Sequence, residues 1–151
     1  MLTETKSKRV LICEGQGITA LAFRNVLLRA GYDVVGEVSQ GEAAVALAKQ
    51  LKPDFILMDI RLEGIISGIE AACQILQEQN VAIIVVTTYG EDVIVDAALC
   101  AGACGYIVKP VSGEQLLAAI EAALVHYEHV QTTLHAPKAI QRDKDTPVGC
   151  Q

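Results

Sequence analysis

The sequence predicts an α/β domain built on a doubly wound, five-stranded parallel sheet flanked by five helices. Short apolar runs alternate five times with segments of helical spacing, which is the order of elements in such domains. The runs are continuous and rich in β-branched residues, as is typical of strands buried on both faces. Hydrophobic residues make up 52% of the 151 residues and aromatic residues only 4%, so we expect an aliphatic core.

Five apolar runs bounded by turn residues are the predicted strands. Each run has the length of a strand and is shorter than a typical helix. In a doubly wound sheet, the C-terminal ends of the strands border the crevice where functional groups collect. The predicted strands are Val10–Cys13, Asp33–Val38, Phe55–Met58, Ala82–Val86 and Tyr106–Val108.

Each predicted strand is followed by a segment with helical spacing. The first, Ile18–Ala30, has Leu21, Val26 and Leu28 among its apolar residues, and Gly31 after it is a natural helix stop. The other helices are predicted at Glu42–Leu51, Gly68–Gln79 and Glu91–Ala101, and from Gly113 to about Gln131.

The last predicted helix leads into a different kind of sequence. It begins with the pattern of a capping box, in which Ser112 is the cap and Gln115 its partner. The helical periodicity fades after Tyr127, and the mixed sequence after Pro137 predicts disorder. We therefore expect an N-terminal lead (1–8), one domain (9–127) and a partly disordered C-terminal extension (128–151).

Composition and charge argue against several classes of protein. The formal net charge is −6 and no basic cluster stands out beyond the start of the chain, so we expect no direct binding of nucleic acid. No apolar run approaches the length of a membrane span, and the N-terminus lacks the pattern of a signal peptide. Cys13 and Cys73 lie in apolar patterns and are expected to be reduced thiols of a cytoplasmic protein.

Polar side chains occupy the C-terminal ends of four predicted strands. Glu14 follows the first strand and Asp59 follows the third. Thr87 and Thr88 end the fourth, and Lys109 ends the fifth. Because the carboxyl ends of parallel strands meet at one edge of the sheet, we expect these side chains to converge.

This set of side chains has a chemical logic. Two neighbouring carboxylates can hold a hard cation such as Mg²⁺, which neutralises the charge that develops on a phosphoryl group. A carboxylate can itself be the nucleophile, as in the formation of an aspartyl phosphate. A hydroxyl and an ammonium group can hold the phosphoryl oxygens. The strand ends therefore predict a metal-assisted phosphoryl site centred on Asp59.

Five segments of the chain together resemble the receiver domains of two-component response regulators. The resemblance extends from about Arg9 to Tyr127 and implies a CheY-like, flavodoxin-like fold. The matching segments read "RVLICEG", "PDFILMDIRLEG", "SGIEAA", "IIVVTTYGE" and "AGACGYIVKP".

The resemblance implies a role for each matching residue. Asp59 would be the phosphoacceptor, Thr87 would bond the phosphoryl group, and Lys109 would pair with it. Tyr106 falls on the aromatic switch position of the family, where the ring turns inward on activation. Pro110 would follow Lys109 through a cis peptide bond.

The resemblance also implies that Mg²⁺ is bound by Glu14, Asp59 and the backbone carbonyl of Arg61. The family has two acids after the first strand, whereas this chain has Glu14 followed by Gly15. We therefore expect an atypical acidic pocket with weakened affinity for Mg²⁺, since affinity depends on the number of charged ligands. Ser67 stands where the family usually has Asp, and we expect that change to matter little.

The function implied is that of a phosphorelay receiver and not of an enzyme. A sensor histidine kinase or phosphotransfer protein would phosphorylate the chain, which would then bind a downstream protein. The residues after Tyr127 are too few for an output domain, so we expect none in this chain. A homodimer could form through the predicted fourth helix, fifth strand and fifth helix. There Val93, Ala97 and Cys100 either face outward as an apolar stripe or pack beneath the C-terminal extension.

Two alternatives stay open. Without an acid at Gly15, the chain could be a pseudo-receiver that serves as a phosphorylation-independent interaction or dimerisation module. A nucleotide-binding domain is the weaker alternative. The segment "EGQGIT" lacks the third glycine of a dinucleotide fingerprint and the lysine of a P-loop.

Overall fold

A sheet of five parallel strands forms the centre of the protein in the computed structural model. The structure describes residues 7–88 and 102–134, and its elements are numbered in chain order within those ranges. The strands are β1 (Arg9–Cys13), β2 (Asp33–Val38), β3 (Phe55–Asp59), β4 (Ala82–Thr88) and β5 (Gly105–Lys109). The helices are α1 (Gly17–Arg29), α2 (Gly41–Leu51), α3 (Gly68–Glu78) and α4 (Gly113–Leu134).

The strand order β2-β1-β3-β4-β5 confirms the predicted doubly wound fold. All four neighbouring pairs of strands are parallel. The chain turns to one side of β1 to form β2 and then crosses to the other side to form β3, so the direction of winding reverses between β1 and β3. Glu14, directly after β1, and Asp59, at the end of β3, therefore flank the switch point where such sheets bind ligands.

The helices agree with the prediction where the structure describes them. The fifth predicted helix is α4, which extends to Leu134, past the expected end at about Gln131. The predicted helix Glu91–Ala101 and its apolar stripe lie outside the described residues. The segment after Pro137 also lies outside them.

Alternate residues of the central strands face opposite layers of helices. In β1, Val10 and Ile12 belong to the core shared with α1 and α4, whereas Leu11 and Cys13 belong to the core shared with α2 and α3. The strands β3 and β4 alternate in the same way, which covers the sheet on both faces. Their residues are Phe55, Leu57, Ala82, Ile84 and Val86 on the α1 side, and Ile56, Met58, Ile83 and Val85 on the α2 side.

The two edge strands are less buried than the sequence suggested. No residue of β2 is fully buried, and in β5 the side chains of Tyr106 and Val108 are largely exposed. The prediction of burial on both faces is therefore correct for β1, β3 and β4 and wrong for β2 and β5. An edge strand has only one neighbouring strand, and its place in the sheet is not visible in its own sequence.

Helix α1 buries a different face from the one that its apolar residues suggested. Ala20, Phe23 and Leu27 are buried against the sheet, whereas Leu21 is 50% exposed and Leu28 is 51% exposed. Apolar residues lie on both sides of this helix, so spacing alone does not identify the face that packs. Helix α1 consequently presents apolar side chains to solvent.

Capping boxes begin α3 and α4. Before α4, the Ser112 N–H donates to Gln115 Oε1 at 3.0 Å and the Gln115 N–H donates to Ser112 Oγ at 3.1 Å, which confirms the predicted cap. Ser67 and Glu70 form the same pair before α3, at 2.9 and 3.1 Å. Ser67, a departure from the receiver pattern, therefore satisfies N–H groups at the start of a helix.

Three cysteines in the described residues, Cys13, Cys73 and Cys104, are free thiols. Burial raises the pKa of Cys13 far above its ordinary value and that of Cys104 to about 11, so both stay protonated at neutral pH. None of the helices within residues 7–88 and 102–134 is long and apolar enough to cross a lipid bilayer.

Gly68 begins α3 in direct contact with the backbone at the end of β3. A Cβ atom at this position would overlap the carbonyl oxygen of Asp59 and lie 2.9 Å from the Cα of Ile60. A backbone atom of a central strand cannot move aside as a flexible side chain can. Glycine is therefore required for α3 to start so close to β3.

We predict that Gly68→Ala lowers the free energy of unfolding by about 3 kcal/mol, because the added methyl group must displace backbone atoms. Gly17→Ala, at the first residue of α1, is the control, since a Cβ there would have no neighbour within 4 Å. The control should be neutral or more stable by about 0.5 kcal/mol. Urea denaturation followed by circular dichroism measures both, and equal stabilities would contradict the close contact at Gly68.

Candidate functional site

Three charged side chains at the ends of three strands share one face of the sheet. Glu14 continues the alternate positions of β1 that face α1 and α4, Asp59 does so for β3, and Lys109 does so for β5. Thr87, at the end of β4, has the opposite parity. The alternation of each strand therefore places the two acids and the lysine together, beside α1.

The ammonium group of Lys109 lies between the two carboxylates. Its Nζ is 3.1 Å from Asp59 Oδ2 and 3.2 and 3.3 Å from the two oxygens of Glu14. Both acids are buried, with 3% of Glu14 and 5% of Asp59 exposed. Lys109 therefore supplies the positive charge that two neighbouring buried carboxylates require.

Both carboxylates also accept a hydrogen bond from the backbone two residues farther along the chain. The Arg61 N–H donates to Asp59 Oδ1 at 2.9 Å, and the Gln16 N–H donates to Glu14 Oε2 at 3.2 Å. These bonds use the first residues of the two loops that leave β1 and β3. The loops and the acids consequently fix each other's positions.

Burial and neighbouring charges shift the pKa values of Glu14 and Lys109. Burial, together with the hydrogen bond to Asp59 and the charge of Asp59, raises the pKa of Glu14 to about 7. Burial by itself would lower the pKa of Lys109, but its hydrogen bonds and ion pairs with Asp59 and Glu14 outweigh that effect and raise it. Lys109 is therefore a permanent cation at physiological pH.

A crevice of about 700 Å³ opens above these residues. Asp59, Thr87 and Lys109 lie in its polar part, and the side chain of Thr87 is 2% exposed. The Thr87 hydroxyl also donates to the Thr88 carbonyl at 3.3 Å. The segment that follows β3, the residues of α1 and the segment after Lys109 also line the crevice, among them Arg61, Ile18, Phe23, Pro110 and Val111.

The oxygen atoms around Glu14 and Asp59 fit a magnesium ion with an incomplete set of protein ligands. Within the described ranges, no group of three or more His, Cys, Asp or Glu side chains is placed to hold a metal ion. Mg²⁺ is commonly bound by one or two carboxylates and keeps several waters. The two acids and the Arg61 carbonyl are therefore the groups that would hold such an ion.

Gly15 marks the place of the missing ligand. A Cβ atom at Gly15 would lie 3.0 Å from the Arg61 carbonyl oxygen, which is closer than most side chains tolerate. A side chain at this position would therefore require the loop after β3 to move by a few tenths of an ångström.

Tyr106 and Pro110 lie on either side of Lys109 in sequence. The Lys109–Pro110 peptide bond is cis, as the resemblance implied. The side chain of Tyr106 is 50% exposed on β5, away from the two acids.

The sequence did not reveal two features next to the predicted site. Ile18, 86% exposed, borders the crevice at the start of α1. Glu42, in α2, accepts hydrogen bonds from the loop that follows β3. An apolar residue at the start of a helix and an acid in its first turn are common patterns, so neither attracts attention without the fold.

The sequence is similar to those of known proteins. A sequence model of the response regulator receiver domain matches residues 10–121. Transcriptional regulatory protein PdtaR of Mycobacterium tuberculosis is 36% identical over 123 residues, which cover 82% of this chain and 60% of PdtaR. Chemotaxis protein CheY of Thermotoga maritima is 36% identical over 114 residues, which cover 75% of this chain and 94% of CheY.

Solved structures show the same fold. The signal receiver domain of a modulated diguanylate cyclase from Desulfovibrio desulfuricans G20 aligns with a TM-score of 0.75 and 34% identity, covering 82% of this chain and 98% of that domain. The N-terminal domain of a response regulator/sensory box/GGDEF protein from Carboxydothermus hydrogenoformans aligns with a TM-score of 0.70 and 32% identity. That alignment covers 82% of this chain and 99% of that domain. The chain thus matches whole receiver domains but spans only about 60% of PdtaR.

We predict that Glu14 makes the stability of the metal-free protein depend on pH. Its pKa of about 7 in the folded protein exceeds the ordinary 4.5, so folding favours the protonated acid. The protonated acid therefore adds on the order of 3 kcal/mol to the free energy of unfolding. This stabilisation is fully present below about pH 4.5 and is lost as the pH rises through about 7. The measurement is urea denaturation in EDTA across this pH range.

The control for this prediction is Glu14→Gln, which carries no ionisable group at this position. The free energy of unfolding of the wild type should fall relative to that of the variant as the pH rises. Parallel pH profiles for the two proteins would show that Glu14 has an ordinary pKa in the folded state.

Proposed function

This chain belongs to the family of response regulator receiver domains of two-component signalling, and on that premise we propose that Asp59 accepts a phosphoryl group. The donor in this proposal is a sensor histidine kinase or a phosphotransfer protein. The phosphorylated domain then binds a downstream protein. The chain acts in the cytoplasm as a signalling domain and not as an enzyme.

The contact between Lys109 and Asp59 is the observation that carries this proposal. Lys109 Nζ lies 3.1 Å from Asp59 Oδ2, at the edge of a crevice that also contains Thr87. A phosphoryl group on Asp59 adds negative charge at this point. The ammonium and hydroxyl groups are the kinds of donor that stabilise it.

In the transfer, a carboxylate oxygen of Asp59 attacks phosphorus and forms the new O–P bond. The bond between phosphorus and the imidazole nitrogen of the donor breaks, and that nitrogen keeps the electron pair. With acetyl phosphate as the donor, the leaving group is acetate. The Arg61 N–H, 2.9 Å from Asp59 Oδ1, orients the carboxylate for the attack.

Mg²⁺, when bound, would neutralise charge on the phosphoryl oxygens and reduce the repulsion between donor and acceptor. Glu14, Asp59 and the Arg61 carbonyl are the groups that would hold it. With Gly15 in place of a second acid, the proposal includes a weaker affinity for Mg²⁺ than a receiver with both acids has.

The donor protein is proposed to dock on the exposed apolar side of α1. Ile18 borders the crevice and is 86% exposed, and Leu21 follows it one turn later. Apolar side chains that flank a reactive group are suited to anchoring a protein that must deliver its own reactive group there.

The downstream protein, or a second copy of the chain, is proposed to bind at β5 and the neighbouring surface of α4. Tyr106 and Val108 are exposed along this edge strand, at 50% and 40%. Tyr106 is the proposed switch residue, since it lies on β5 three residues before Lys109 and can respond to a change at the site.

We predict that the wild-type protein, incubated with acetyl phosphate and Mg²⁺, gains the mass of one phosphoryl group in an acid-stable, base-labile form. Asp59→Asn should gain none, because an amide oxygen is a poor nucleophile. Intact-protein mass spectrometry measures both. An adduct that persists in Asp59→Asn would place the acceptor elsewhere.

A second candidate function follows from Gly15. Gly15 stands where the family has a second metal-binding acid, and the lost ligand favours a pseudo-receiver, which would bind partners without phosphorylation. This candidate predicts no adduct on the wild type and restoration by Gly15→Asp, with Gly15→Ala as the control for the added Cβ. An adduct on the wild type that is lost in Asp59→Asn would exclude it.

We predict that Ile18→Ala slows phosphoryl transfer from a histidine-phosphorylated phosphotransfer protein that serves the wild type, by about tenfold. The rate with acetyl phosphate should not change, because a small donor needs no docking surface. Leu28→Ala is the control, since Leu28 is an exposed residue of α1 that does not border the crevice. Equal effects of Ile18→Ala on both donors would argue against docking at this position.

A further inference from the structure

The loop between β3 and α3 (residues 60–67, called the β3–α3 loop) is fastened to the segment that joins β2 to α2. The Glu63 N–H donates to the Ser39 carbonyl at 2.9 Å, and the Gly41 N–H donates to the Glu63 carbonyl at 3.3 Å. Gln40 and Glu63 thereby pair as a short parallel bridge. These bonds join backbone to backbone and hold the middle of the loop against the start of α2.

Glu42 adds a charged side chain to this junction. Its Oε2 accepts from the Ile65 N–H at 2.6 Å and from the Ile66 N–H at 3.3 Å. Glu42 lies in the first turn of α2, where the helix dipole favours a negative charge. Hydrogen bonds from its own backbone N–H and from those of Ile65 and Ile66 lower the pKa of Glu42, so it is a carboxylate at neutral pH.

The loop closes directly over this carboxylate. Gly64 has a φ of 94°, which a glycine adopts easily, and a side chain there would overlap the carboxylate of Glu42. The loop therefore has both the backbone geometry and the space that its contact with Glu42 requires.

The same loop begins at the phosphoryl site. The Arg61 N–H donates to Asp59 Oδ1, and the Arg61 carbonyl is one of the three groups that would hold Mg²⁺. The ends of the loop are bound to the core, since the Ile60 N–H donates to the Val86 carbonyl and the Gly68 N–H donates to the Ile60 carbonyl. The exposed middle of the loop is held through Glu63, Ile65 and Ile66.

We propose that Glu42 is a positioning residue for phosphoryl transfer. By holding Ile65 and Ile66, it keeps the β3–α3 loop in the arrangement that directs the Arg61 carbonyl towards Mg²⁺ and the Arg61 N–H towards Asp59. This inference rests on the proposed function of Asp59. Residues that orient metal ligands affect metal affinity without touching the reacting atoms, and Glu42 acts in this way through the loop.

The test compares Glu42→Gln with the wild type in two measurements. The first is the Mg²⁺ concentration that gives half the maximal rate of Asp59 phosphorylation by acetyl phosphate. It should rise about tenfold, with the rate recovering at high Mg²⁺, because the amide removes the charge and its oxygen accepts the two N–H groups more weakly than a carboxylate does. The second is hydrogen exchange of the Ile65 and Ile66 amides in metal-free protein, which should become faster.

Two further variants separate the contact from other effects of the substitution. Glu42→Asp keeps the charge at the start of α2 but shortens the side chain by one methylene group, so it should also lose the contact and require more Mg²⁺. Glu114→Gln removes an exposed acid from the first turn of α4 and should change neither measurement. Together these variants show whether the effect of Glu42→Gln comes from the lost contact with the loop or from the lost charge at the start of a helix.

The outcomes separate this inference from the proposed function. A normal phosphoryl adduct with an unchanged Mg²⁺ requirement in Glu42→Gln would overturn the role of Glu42 alone. Unchanged hydrogen exchange at Ile65 and Ile66 would overturn it as well. Absence of an adduct on the wild-type protein would overturn both.

Discussion

The ammonium group of Lys109, held between the carboxylates of Glu14 and Asp59, is the interaction on which the site depends. In the sheet, Lys109 of β5 reaches across β4 to meet Asp59 of β3, and across β3 as well to meet Glu14 after β1. Two buried carboxylates would repel each other and lose hydration without it. The three strand ends are therefore joined by charge as well as by the hydrogen bonds of the sheet. The same ion pairs fix the position of the Asp59 carboxylate.

The two layers of helices contribute differently to this site. The layer of α1 and α4 lies on the side of the three charged residues, and α1 borders the open crevice. The layer of α2 and α3 supports the site from behind, through Gly68 beneath the Asp59 carbonyl and Glu42 beside the β3–α3 loop. One layer thus gives access and the other gives rigidity. The crevice is thus open on the side away from these supports.

Strand ends were predictable from the sequence because each lies where an apolar run stops at a charged or hydroxyl residue. Asp59 and Lys109 are of this kind, and a parallel sheet leaves them only one edge to share. The Ser112 cap was predictable for a similar local reason. The packed face of α1 was not, because Leu21 and Leu28 are as apolar as the residues that the helix buries. The contact of Glu42 with Ile65 also could not be predicted, since it joins the first turn of α2 to a loop that only the completed fold brings close to it.

The side chains of β3 point alternately to the two faces of the sheet, and this alternation limits where a residue can be inserted or deleted. Asp59 faces the layer of α1 because it stands an even number of residues after Phe55 and Leu57, which face the same layer. Deletion or insertion of one residue within β3 would turn the acid towards α2 and α3, away from Lys109. Residues added to or removed from the loops that follow the strands would not have this effect. A change of length in the β3–α3 loop would leave the direction of Asp59 intact, because that loop begins after the strand ends.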